Sequence, residues 1–355
     1  MNMKRQPQFR HSLGFSMVEI LVAMVIALLG TVIIFQVFAV SEDIKRTSTS
    51  GGDALQNGLL ALFLIERDAR MAGFGVNYPP LLGCRVISHD AGPPARDFDF
   101  NMVSAEITDG AGGAPDSVRF VYGNSNLVLA PAKLTSASDV GSVVHRVDNP
   151  YGFLIGDLII AGEVGAAKDC SLRQIGDLPG ATVLVDHTNG RYNKAGGLPV
   201  NYVLWDNTSQ TGGRLLDFGA SPSVVTYSIQ NSQLTHLNLM TDTVASPIAD
   251  GIVQFQAEYG KDTDDDGDLD AWNTTNPATA ADWARVIALR FAVVARSAQP
   301  VRPDPPGAPC DATTAPLAWA AGAIDLSADA DWECYRYRVF ETTVPVRNLI
   351  WPQLS

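Results

Sequence analysis

Gly14-Phe15-Ser16-Met17-Val18-Glu19-Ile20-Leu21-Val22-Ala23-Met24-Val25-Ile26-Ala27-Leu28-Leu29 opens an apolar run that continues to Val40, and Glu19 is its only charged residue. A bilayer-spanning helix needs about 20 apolar residues, and the run exceeds that. It is also longer than the apolar core of a secretory signal. Lys4, Arg5 and Arg10 precede it. Positive charge stays on the cytoplasmic side, so the reading puts the start of the chain inside and sends the rest outward. A carboxylate at the edge of a hydrocarbon span is costly and marks function.

A short basic leader, then Gly14, Phe15, and Glu19 four residues further into an apolar helix, resembles the class III signal of type IV pilins and pseudopilins. The resemblance implies that a membrane prepilin peptidase cuts between Gly14 and Phe15 and methylates the new amine. It also implies that Glu19 pairs with the amine of a neighbouring subunit. Such a pair neutralises two charges in a low-dielectric filament core and sets register. Residues 1–14 are then leader, 15–40 the membrane and filament-core helix, and 41–75 its amphipathic continuation. Residues 76–355 form a periplasmic β-rich head.

Leu55, Leu59, Leu62, Ile65 and Ala69 recur every three or four residues, which predicts a helix to about Ala72. From Phe15 to Ala72 it would be roughly 87 Å long. Gly51-Gly52 has low helix propensity and is expected to bend or open it. Gly73 and Gly75 are expected to end it.

Val76 to Asp116 reads as loop, rich in Gly, Pro and Asp. Alternating stretches then predict short antiparallel strands: 117–122, two around a Gly-Asp turn in 153–161, 182–185 and 224–229, with Asn189-Gly190 among the turns. This region exceeds what one pilin head needs, so 110–240 is read as an inserted β subdomain. Ile252 to Tyr259 and Trp283 to Ala295 are stronger strands, the second apolar enough to be central in its sheet. Cys334 to Phe340 and Thr342 to Asn348 close a C-terminal sheet over 250–355. The fold class is α+β: a long helix on an antiparallel β head.

Glu66 to Gly75, the strand from Arg290 to Ser297 and the block from Tyr337 to Asn348 resemble PilW-type minor pilins. That resemblance implies a structural, non-enzymatic subunit that initiates type IV pilus assembly and sits at the tip. Its implied partners are other minor pilins, the major pilin and a large tip adhesin. A minor pseudopilin of type II secretion, and a membrane-anchored enzyme or carbohydrate-binding adhesin, are the alternatives.

The formal charge is −13, and losing the basic leader makes it more negative. A nucleic-acid partner is not expected, because phosphate contacts need clustered cations. The four cysteines, in an exported chain, predict two disulfides. Three pairings are open. Cys310–Cys334 with Cys84–Cys170 is preferred, because the late pair encloses a Pro- and Ala-rich loop between two expected strands.

Asp262-Thr263-Asp264-Asp265-Asp266-Gly267-Asp268-Leu269-Asp270 has carboxylates at alternate positions, a glycine for the turn, and a further Asp. Calcium accepts six to eight oxygens in forgiving geometry. The expected ligands are the side chains of Asp262, Asp264, Asp266 and Asp270 and the carbonyl of Asp268. Asn273 stands where an EF-hand has its bidentate Glu, and no helical flanks are expected. The histidines show no metal-ligand spacing; His89, His145, His187 and His236 are read as surface or loop residues, and His11 leaves with the leader. The chain has no GxSxG elbow and no phosphate-binding GxxxxGK[ST]. The scattered tryptophans, Trp351 included, are read as core or subunit contacts.

Overall fold

The computed structural model describes residues 14–125, 127, 130–180, 182–186, 190–303, 305 and 307–350. The leader before Gly14, His187, Asn189 and Trp351 lie outside them. The chain divides into two compact units after Gly52. One helix, Met17–Met71, contributes to both, and Gly51 and Gly52 are both helical. This helix contains a stretch long and apolar enough to cross a membrane. Its side chains from Phe15 to Val40 are exposed apart from half-buried Gly30.

In the second unit the helix ends at Met71, and Gly73 and Gly75 follow with φ of 85° and 74°. Both lie in the left-handed region that glycine adopts without a Cβ penalty. The face that packs is Ala54, Ala61, Ile65, Ala69 and Ala72. Leu55 and Leu59, expected on that face, are instead 42% and 52% exposed. Small residues win the contact because they let a helix lie close to a sheet. Gly58 shows how close: a Cβ there would fall 2.1 Å from the Phe340 ring.

Two antiparallel sheets share this core with the helix. One has the strand order Ala271–Asn273, Ile252–Lys261, Val286–Arg296, Tyr337–Pro345. Val286–Arg296 is an inner strand. Leu289, Phe291 and Val293 turn to the helix side, while Ala292 and Val294 pack under the hairpin of Leu317–Trp319 and Gly322–Ile324. Both faces are covered, which accounts for its near-continuous apolar sequence. Trp283 is not in this strand but in the helix Ala280–Ala284, started by a capping box between Thr279 and Asp282. Tyr337–Pro345 is a single strand where two blocks were expected. Trp332–Cys334 before it is a 3-10 turn, and Arg347–Ile350 after it is a short helix.

The second sheet runs Ser246–Asp250, Gln233–Asn238, Ser223–Gln230, Ser117–Tyr122, Ala105–Thr108. A third, eight-stranded sheet holds Arg96–Asn101, Arg85–Asp90, Cys170–Gly180, Leu158–Val164, Gly212–Gly219 and Ala132–Lys133 in order, with Val144–Arg146 and Val183–Asp186 joined beside Cys170–Gly180. The interval 110–240 is therefore divided between sheets. Its ends lie in the five-stranded sheet, and its middle lies in the eight-stranded one together with residues 85–101.

The supposed loop from Val76 to Asp116 contains three strands: Arg85–Asp90, Arg96–Asn101 and Ala105–Thr108. Alternation is present in Arg85–Asp90, but Ser88 and Asp90 occupy buried positions. Polar residues on the inner face hid the strand. Arg191 makes that position tenable by pairing with Asp90 through Nε at 2.8 Å and Nη2 at 3.0 Å. Only Leu158–Val164 forms a strand in 153–161. Asp157 accepts the Leu154 N–H at 2.8 Å and donates its own N–H to the Leu154 carbonyl, closing a turn. Cys84 is bonded to Cys170 and Cys310 to Cys334, with Cα–Cα distances of 5.9 and 4.8 Å.

Candidate functional site

At the start of the long helix the side chains of Ser16 and Glu19 each accept a backbone N–H. The Ser16 hydroxyl accepts the Val18 N–H at 3.3 Å, and Glu19 Oε2 accepts the Ser16 N–H at 3.0 Å. This satisfies donors that a helix start leaves without intrahelical partners. It also holds the carboxylate at the helix N-terminus, where the helix dipole favours negative charge. Phe15 is 82% exposed. Gly14, Phe15 and Glu19 thus stand at an open helix end, with the acid turned back toward the backbone just after Phe15.

The acidic stretch forms the turn of a hairpin between Ile252–Lys261 and Ala271–Asn273. Asp270 N–H donates to the Lys261 carbonyl at 3.0 Å and closes the ladder. Asp262 is buried and organises the turn: its two oxygens accept the N–H groups of Asp265 at 2.7 Å and Gly267 at 2.8 Å. Asp265 and Gly267 have φ of 65° and 91°, so the turn is left-handed at both. Arg285 ties the loop to the head by two contacts to Asp265, at 2.8 and 2.6 Å.

Among the described residues the side chains of Asp262, Asp264 and Asp270 bring one oxygen each within 4.8 Å of one another. Asp266 and Asp268 stand outside that group. Asp266 instead accepts the Asp268 N–H at 2.8 Å. The carboxyl of Asp264 is pushed above its ordinary range, chiefly by the charge of Asp266. That of Asp270 is held low by the Thr263 N–H and hydroxyl. An all-oxygen donor set with mutually repelling acids suits a hard divalent cation such as calcium. Asp265 was not among the expected ligands, and its ion pair with Arg285 gives it a structural part instead.

His145, read from sequence as a surface or loop residue, is fully buried on the strand Val144–Arg146. Its Nδ1 lies 3.0 Å from the Ser138 hydroxyl, and Nε2 has no hydrogen-bond partner among the described residues. Burial, with Arg173 nearby, pushes it down to about 4. Its strand pairs with Val183–Asp186, where it stands opposite buried Leu184, and nothing local in the sequence signals this.

The end of the long helix is finished by the far end of the chain. The Asn348 side-chain amide donates to the carbonyls of Arg70, Met71 and Ala72 at 3.4, 3.1 and 3.0 Å. Last-turn carbonyls have no intrahelical donors, and one amide serves three of them.

Comparison with curated proteins and with solved structures gives no match. A sequence profile of one family, described as Type IV Pilus-assembly protein W, matches residues 219–348. The matched segment holds three strands of the five-stranded sheet, the whole four-stranded sheet and Asn348. This match supports a link between the chain and type IV pilus assembly.

Proposed function

We propose that the chain is a minor pilin. It is held in the inner membrane by residues 15–40, cut between Gly14 and Phe15 by the prepilin peptidase and methylated on Phe15. It then co-assembles with other minor pilins, and with the major pilin, to start a type IV pilus. It stays at the tip, where it supports a large adhesin and thereby twitching motility. The eight-stranded sheet is an enlargement of a pilin-like frame made by the long helix and the C-terminal sheet. A head of this size fits an end of the filament better than its repeating shaft.

The observation that carries this reading is the joint presence of the family match over residues 219–348 and the Gly14-Phe15-Glu19 helix start. On assembly, Glu19 exchanges the Ser16 N–H for a neighbour's amine. Charged partners strengthen such a bond, and the dry filament core strengthens it again. The acidic hairpin holds calcium through Asp262, Asp264 and Asp270, which stiffens the loop between two strands of the C-terminal sheet.

A deletion strain complemented with the wild type, Gly14→Ala or Glu19→Ala tests it. Surface pili should be lost on deletion and restored by the wild type alone. Mass spectrometry should find the mature chain beginning at a methylated Phe15, and a mature chain that still carries residues 1–14 within pili would overturn the reading.

A further inference from the structure

A cleft of about 370 Å³ opens between the hairpin of Arg85–Asp90 and Arg96–Asn101 and the loop around residues 194–199. It belongs neither to the helix start nor to the acidic hairpin. Its rim alternates donors and acceptors. Arg85 Nε lies 3.0 Å from Asp99, His89 Nδ1 lies 2.7 Å from Asp97, and Lys194 pairs with the other oxygen of Asp97. These groups sit on one face because Ile87 is paired with Asp99 and His89 with Asp97 across the two strands.

Part of the opposite wall is bare backbone. Gly196 and Gly197 are consecutive left-handed residues, with φ of 98° and 73°. A Cβ on Gly197 would fall 2.3 Å from the Gly141 carbonyl oxygen, while one on Gly196 would meet nothing within 4 Å. Gly196 therefore presents bare backbone to open space, the arrangement that lets a ligand approach closely. The buried Arg173 donates to the Gly197 carbonyl and fixes the loop. The disulfide Cys84–Cys170 joins the base of the Arg85 strand to the neighbouring strand. Both walls are thus tied to the strand Cys170–Gly180.

We propose that this cleft binds a carbohydrate through vicinal hydroxyls. A simple anion is poorly served, because Arg85 and Lys194 already face carboxylates. A sugar hydroxyl both donates and accepts, so two adjacent hydroxyls satisfy a carboxylate and its cationic partner together. Ile87 and Pro199 supply apolar surface for the C–H face of the ring. The size lies within the usual range for small-molecule sites.

The test uses the full chain in micelles of a detergent without a sugar headgroup. Saturation-transfer NMR is recorded with the methyl glycosides of glucose, galactose, mannose and N-acetylglucosamine in turn. At least one should receive saturation. Asp97→Asn and Lys194→Gln should each weaken that binding about tenfold, which is the change given by roughly 1.4 kcal/mol. Both side chains are more than half exposed, so both variants should melt as the wild type does. Asp264→Asn, in the distant acidic hairpin, should bind as the wild type. Absence of transfer to all four glycosides, or unchanged binding by both cleft variants, overturns the proposal. The measurement does not depend on pilus assembly, so it stands or falls apart from the pilin reading.

Discussion

Tyr227 donates its hydroxyl to Asp68 at 2.7 Å, and both side chains are buried. Asp68 lies on the long helix and also pairs with Arg67 Nε at 2.8 Å, while Tyr227 stands on the inner strand Ser223–Gln230. Burial, and next the charge of Asp68, push the Tyr227 hydroxyl upward, so it stays a donor. A charge-assisted bond thus joins helix and five-stranded sheet inside the apolar core. Tyr227→Phe removes the donor and leaves the acid less satisfied. Denaturant unfolding should show a loss of about 1–3 kcal/mol, and a loss near zero would mean that the bond does not hold helix to sheet.

Gly58 and Phe340 make the second lock. Ala is a better helix former than Gly by about 1 kcal/mol, so Gly58→Ala would stabilise an isolated helix. Here the added methyl meets the Phe340 ring at 2.1 Å. The steric term should win, with a net loss of about 1–3 kcal/mol. Thermal melting should show a lowered midpoint, and adding Phe340→Leu to the variant should restore part of it.

Asn348 offers a sharper contrast. Asn348→Ala should cost about 1–2 kcal/mol through the lost donors to Arg70, Met71 and Ala72. Asn348→Asp should cost more, because it turns an acceptor and a negative charge toward carbonyl oxygens at the negative end of the helix. Equal melting points for the two variants would show that the amide does not cap the helix.

Two buried groups pull the pH dependence of stability in opposite directions. His145 is held at about 4, below its ordinary 6.5. Its contribution is fully present above 6.5 and is lost as pH falls from 6.5 toward 4, because the unfolded chain takes the proton first. The loss at the acid end is of the order of 3 kcal/mol. Asp116 is raised to about 6 by burial, although it accepts the N–H groups of Gly110 and Ala257. Its contribution has the opposite sign: it is present below the ordinary carboxylate range and is lost as pH rises toward 6. Chemical unfolding at pH 4.5 and 7 should show that His145→Gln reduces the loss of stability on acidification, and that Asp116→Asn increases it.

Calcium should raise the melting temperature of the wild type and leave Asp264→Asn unmoved, and a chelator should reverse the rise. Asp266→Asn should keep most of the response, since Asp266 stands outside the group formed by Asp262, Asp264 and Asp270. Calorimetry without heat for the wild type at millimolar calcium would refute the site.

Much of the frame is legible locally. An apolar run needs only its own composition to be read as a span, and the turn in the acidic stretch follows from Gly267 and the alternate acids. The inner strand Val286–Arg296 announces itself because both of its faces are covered. The strands between Arg85 and Thr108 do not, because the partner that admits a polar inner face is far away in sequence: Arg191 for Asp90. His145 is hidden because the strand that covers it, Val183–Asp186, lies well apart in sequence.

By itself the sequence determined the long apolar helix, its Gly14-Phe15-Glu19 start, the glycines that end it and the acidic hairpin. Each of these depends on neighbours within a few residues, where composition and spacing carry the physics. Tertiary structure alone decided that Ala54 and Ala61, rather than Leu55 and Leu59, face the core, and that Asn348 closes the helix end. Those outcomes depend on how closely a helix approaches two sheets and on contacts between residues hundreds of positions apart. Local periodicity contains neither.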